Sequence, residues 1–235
     1  YVAGFNNIQA FTGAGSDTMS FAEVAVDSAP VEVRLGATGV IGVNNFVGST
    51  QVSSTLFGRD IETTWTIESA DSGTLNSGSS AIRFSQFQNL SGGTAADTFD
   101  FSTTNAGRIT GTINGGTDEA TSVVNTILGR NAATTWTLTD ANAGYVNVTD
   151  DVRYVNQFTN IQNLTGGTEA DIFDFSTTNA GRITGTIAGG ATEGLTARFN
   201  TIKARTNAPN TWTMTGNDTG RLGVTTTGSP VQYVA

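Results

Sequence analysis

The stretch FDFSTTNAGRITGTI occurs twice, at Phe99–Ile113 and at Phe173–Ile187, identical at all fifteen positions and 74 residues apart. Its letters alternate. In Asp97-Thr98-Phe99-Asp100-Phe101-Ser102 the two phenylalanines share one face, and Thr98, Asp100 and Ser102 share the other. That period of two is the mark of a half-buried β-strand. Ile109 and Ile113, with their twins Ile183 and Ile187, are four apart and fall on one strand face. Phe99, Phe101, Ile109 and Ile113, and the copies Phe173, Phe175, Ile183 and Ile187, are therefore the expected inward positions. Burying one such side chain contributes roughly 1.5–3 kcal/mol.

The repeat extends beyond the quoted letters. FSQFQNLSGGTAADT (84–98) and FTNIQNLTGGTEADI (158–172) precede the two copies, and a more divergent version, FNNIQAFTGAGSDTMSF (5–21), lies near the start. Each copy later carries a tryptophan strand: TTWTIE at Trp65, TTWTLT at Trp136, NTWTMT at Trp212. Aligning these landmarks divides the chain into copies at 1–79, 80–153 and 154–232. Residues 233–235 begin a fourth copy, with Tyr1, Tyr154 and Tyr233 equivalent. The sequence is thus expected to be a window on a longer repetitive chain.

Self-similarity at such a period points to a stacked architecture. Helical periodicity is missing, and turn signals (GG, NAG, TGND, TGS) recur about every ten residues. Each unit holds about seven short strands, enough for roughly three coils of about 25 residues. The expected fold is all-β, a parallel β-helix (β-solenoid) of three repeats in one continuous body rather than a string of sandwiches. In that reading the twins sit at the same places three coils apart. The rod is on the order of 50 Å long.

Composition narrows the function. The 235 residues carry a net charge of −9, only 13% charged residues, one lysine (Lys203), and neither cysteine nor histidine. An acidic chain without a basic cluster is a poor partner for nucleic acid or anionic lipid. No apolar run approaches the roughly 20 residues of a membrane span. No signal-peptide pattern opens the sequence, so an export signal is expected outside it. The Gly/Thr/Asn/Ser richness fits an extracellular bacterial protein.

The phrases FTNIQNLTGGTEADIFDF and GRITGTIAGG resemble the repeats of large secreted bacterial adhesins of the filamentous-haemagglutinin-like type. Within these they are closest to biofilm-matrix adhesins exported by two-partner secretion. The resemblance covers copies 2 and 3 and the start of copy 1; residues 22–60 diverge. It implies a right-handed β-helical shaft, passage through an outer-membrane export partner, and a place at the cell surface or in the extracellular matrix. The expected role is a structural shaft that projects a tip or crosslinks cells in a biofilm. Its partners would be neighbouring repeats, other shafts or matrix polysaccharide. Alternatives are a β-helical polysaccharide-binding or -degrading protein, and the shaft of a contact-dependent toxin-delivery protein.

Chemistry-bearing residues are few. Asp17, Asp97 and Asp171 follow glycine-rich turns and are candidate calcium ligands, because TGAGSDTM is similar to a calcium-binding nonapeptide. Calcium rolls need that motif in tandem, however, and here it recurs only once per unit. The favoured reading is that each Asp hydrogen-bonds its turn backbone. Trp65, Trp136 and Trp212 could stack on sugars. Each shares a face with Ile67, Leu138 or Met214, so all three are expected in the core. The threonine faces Thr64/Thr66, Thr135/Thr137 and Thr211/Thr213/Thr215 occur once per unit, too sparsely for an ice-matching lattice. Without histidine or cysteine the usual general base and thiol nucleophile are missing. Asp118-Glu119 and Asp150-Asp151 read as solvated turns, and Arg108 and Arg182 are duplicates, unsuited to a unique active site. The expectation is a protein that is not an enzyme and has no cofactor unless calcium.

Overall fold

The computed structural model describes residues 11–36, 40–77, 80–117, 123–148, 152–178, 180–190, 199–206, 209–216, 219–224 and 231–234. Among them every regular element is a strand. Tyr1 and the two acidic pairs at 118–119 and 150–151 lie outside the described residues.

Copy 1 holds β1 (Phe11–Ser20), β2 (Val31–Arg34), β3 (Val40–Val47), β4 (Ser54–Phe57), β5 (Thr63–Ser69) and β6 (Ser72–Ser77). Copy 2 holds β7 (Ser80–Ser85), β8 (Asn89–Ser91), β9 (Asp97–Asp100), β10 (Ile109–Asn114), β11 (Thr126–Leu128), β12 (Thr134–Asp140) and β13 (Ala143–Val148). The third begins at its boundary with β14 (Arg153–Thr159). It continues with β15 (Asn163–Thr165), β16 (Ile172–Asp174), β17 (Thr186–Ala188), β18 (Thr201–Lys203), β19 (Asn210–Gly216) and β20 (Thr219–Val224); β21 (Val231–Val234) follows.

These strands form two sheets. One has twelve strands in the order β1-β3-β7-β6-β5-β9-β11-β15-β17-β21-β20-β19; the other has nine, β18-β16-β12-β13-β14-β10-β8-β4-β2. Strands far apart in sequence pair in parallel, as in Trp65↔Phe99, Ile127↔Leu164 and Ile113↔Phe158. Both sheets are nevertheless mixed. Each tryptophan strand folds back twice, giving the antiparallel runs β5-β6-β7, β12-β13-β14 and β19-β20-β21. A ladder parallel throughout is thus not what forms. The local cause is legible: Ser69 pairs with Ser72, and Asp140 with Ala143, across two-residue turns. In these turns Asp71 and Asn142 take φ of 52°. Short Asx side chains tolerate that left-handed region best among non-glycine residues.

The sheet assignment also corrects the expectation that twins share one place. Phe99 lies in β9 of the larger sheet, and Phe173 in β16 of the smaller; Ile113 and Ile187 are exchanged the other way. Between β7 and β14 the chain crosses from sheet to sheet five times. An odd number of crossings sends each repeat to the opposite face. Copies 2 and 3 together supply seven strands to each sheet, so one unit advances the stack by about 17 Å at the sheet spacing.

The core lies between the sheets. Phe99, Phe101, Ile109, Ile113, Phe173, Phe175, Ile183, Ile187, Trp65 and Trp136 are all buried. Trp212 is the exception: it is 46% exposed, and Met214 on the same face is 62% exposed. The difference is positional. β5 and β12 carry β9 and β16 on their far side, whereas β19 ends the strand order of its sheet. The register also moves Tyr233. It stands opposite Gly220, as Phe84 stands opposite Gly73 and Phe158 opposite Gly144. It therefore takes the place of Phe158 rather than that of Tyr154.

Candidate functional site

The glycine turn, its aspartate and the tryptophan strand come together at each junction between copies. Trp65 stacks on Phe99 with centroids 5.6 Å apart and an interplanar angle of 19°. Trp136 stacks on Phe173 at 5.6 Å and 22°. Asp97, fully buried, accepts hydrogen bonds from the indole N–H of Trp65 (3.0 Å) and the backbone N–H of Gly93 (2.9 Å). Its own N–H donates to the Asn125 side-chain oxygen at 2.8 Å. Asp171 repeats the arrangement with one change. It accepts from the Gly167 N–H (2.9 Å), the Thr134 N–H (3.0 Å) and the Thr134 hydroxyl, and its N–H donates to Asn200 at 2.8 Å. The indole nitrogen of Trp136 is buried and has no hydrogen-bond partner among the described residues.

Both buried carboxylates thus face N–H and O–H donors. That is the environment of a turn-fixing aspartate, whereas a calcium cage presents oxygen acceptors. Among the described residues no three acidic side chains gather into a cation site. Asp17 is exposed. Burial pushes the Asp171 carboxyl up to about 6, against the downward pull of Thr134 and Gly167. The second glycine of each pair is required by space: a Cβ on Gly93 or Gly167 would run into the carbonyl oxygen of Arg59 or Arg130.

Sequence reading passed over a recurring arginine. LFGRD, ILGRN and IKART place Arg59, Arg130 and Arg205 at one repeat position. Arg130 is buried, donates through Nε and a terminal nitrogen to the Gly107 carbonyl, and lies 4.5 Å from the Tyr154 ring centroid. Burial lowers its pKa and raises that of the Tyr154 hydroxyl. Arg205 donates to the Gly181 carbonyl at 2.6 Å. Side-chain ladders were passed over too. Gln88 accepts from the Ser54 N–H, and its twin Gln162 from the Asn125 N–H. Asn89 and Asn163 accept from Thr112 and Thr186. The repeated QNL was their signal; the partners, 23 to 37 residues away, carried none.

Arg59 itself opens on a cleft of about 620 Å³ at one corner of the smaller sheet, lined also by Arg34, Phe57, Asp60, Gly93 and Asn114. Among the described residues that line it, Asp60 is the only carboxylate. Glycoside hydrolysis ordinarily takes two. What the described arrangement does chemically is hold: it fixes turns, stacks rings and joins one repeat to the next. No protein-family model, no curated protein and no solved structure matches the chain.

Proposed function

We propose that the chain is a shaft segment of a long extracellular bacterial adhesin, a right-handed β-solenoid whose work is mechanical rather than enzymatic. The observation that carries this reading is the junction repeated at Trp65–Phe99 and Trp136–Phe173, made by parallel pairing between successive copies. A module that joins its successor through the joint its predecessor used converts chain length into reach. The five crossings per unit add a second consequence. Equivalent outward surfaces face opposite sides in successive copies, so a shaft can contact neighbours on two sides and crosslink cells or matrix. Burial of Trp65 and Trp136 removes two of the three candidate sugar platforms and weighs against a polysaccharide-degrading groove.

Small-angle X-ray scattering of this chain and of a version lacking residues 80–153 tests the shaft. A rod is expected whose maximum dimension falls by about 17 Å at constant cross-section. An unchanged length, or a compact sphere in both, refutes it. Antibody labelling of intact bacteria tests the placement: staining of the surface or matrix is expected, and staining only after lysis refutes it.

A further inference from the structure

We propose that the corner cleft of copy 1 binds a small oxyanion ligand, with Arg59 and Arg34 as its recognition residues. The inference is independent of the shaft reading. The repeats differ at this position. Arg130 and Arg205 spend their guanidinium donors on the carbonyls of Gly107 and Gly181. Arg59, at the same repeat position, makes no hydrogen bond or ion pair among the described residues, and its Nε is buried. Its stem instead runs past Gly36, Cγ lying 3.3 Å from where a Cβ of that glycine would stand. Gly36 has φ of +83°, a conformation that already disfavours a side chain there.

The neighbouring donors are mostly committed. The N–H groups of Gly58 and Gly92 donate to the carbonyls of Ser91 and Asn114, that of Gly93 to Asp97, and that of Gly116 to the Asn114 side chain. Asp60 is engaged by the Thr94 N–H at 3.1 Å. The guanidinium of Arg59 is left as the free donor set. A second guanidinium shares the cleft: Arg34 lies 3.7 Å over the Phe57 ring and is steadied by Glu32 at 3.1 Å. Stacking leaves the edge of a guanidinium open to donate. A guanidinium with no internal acceptor donates through its terminal nitrogens to an oxyanion in the paired N–H···O geometry of an arginine fork. The volume lies in the range of small-molecule sites, roughly 300–1,000 Å³. The ligand chemistry is therefore a compact oxyanion, either the carboxylate of an acidic sugar or a phosphate. A chain of net charge −9 offers anions no general attraction, so binding reads on this site.

Titration calorimetry of the chain with a galacturonate trimer, with inorganic phosphate and with a neutral glucose trimer tests the proposal. Saturable binding of at least one anion is expected, and which one binds names the source; the neutral sugar should not bind. Arg59→Gln should weaken that binding by about tenfold or more, while Arg205→Gln changes it less than about twofold. Arg59 makes no hydrogen bond among the described residues, so Arg59→Gln is expected to keep the wild-type near-ultraviolet circular dichroism. If it does not fold, Arg34→Gln, on an exposed side chain, is read instead and should also weaken binding. Failure of both anions to bind refutes the site, as does wild-type affinity in the folded arginine variant.

Discussion

Asp171→Asn should change how stability depends on pH, and the sign follows from the carboxyl's surroundings. The side chain is fully buried, and burial raises its pKa from 3.8 to about 6. The folded protein then holds this proton more tightly than the unfolded chain does. The contribution to stability is complete below about pH 4, declines as pH rises through the window from about 4 to about 6, and is flat above it. A shift of about two units is worth about 3 kcal/mol. Asparagine has no proton to lose, so its curve lacks this slope. It also turns one amide N–H toward a former donor, adding a pH-independent loss of about 1–3 kcal/mol. Urea unfolding followed by tryptophan fluorescence, on both proteins from about pH 4 to about pH 7.5, gives the difference. The advantage of wild type over variant should shrink by about 3 kcal/mol across that range. A flat difference, or one that grows with pH, would refute the assignment of a desolvated carboxyl at Asp171.

Three further outcomes are expected. Gly167→Ala drives a Cβ into the Arg130 carbonyl and should cost about 3 kcal/mol or more in urea unfolding, whereas a loss under about 1 kcal/mol means the turn can open. Trp65→Phe breaks an indole bond to Asp97 that Trp136→Phe does not, so the first should cost about 1 kcal/mol more than the second; equal losses would contradict the difference at the two junctions. Acrylamide should quench Trp212 and spare Trp65 and Trp136, and Trp212→Phe should abolish the quenchable fraction; quenching that survives the substitution would place another tryptophan at the surface.

The junction was partly legible in the letters. A period of two marked Phe99, Phe101 and their twins as inward, and the structure buries them. The glycine turn announced a carboxylate that serves its own backbone, which is what Asp97 and Asp171 do. The two-residue turns at Asp71 and Asn142 belong to a recognisable turn chemistry, yet their effect on the sheets did not follow from them. Asn125 and Thr134 carried no signal of their own, because each acquires its role from an aspartate dozens of residues away; Arg59 did recur, as Arg130 and Arg205, but its letters do not say which copy leaves the guanidinium untied.

Strand character, the repeat and the inward face were determined by the sequence alone, since each depends on neighbours within a few residues along the chain. The tertiary structure decided which sheet each strand joins, because that depends on how many times the preceding chain has crossed. Five crossings per unit put identical letters on opposite faces, a parity no local window contains. It also decided that Trp212 is exposed where Trp65 and Trp136 are buried, although the three share one motif. Burial there is set by the strand stacked alongside, and β19 ends its sheet. The same holds for the arginine: one repeat position yields a tied side chain in copies 2 and 3 and a free one in copy 1, because the acceptor comes from a neighbouring strand connection rather than from the motif itself.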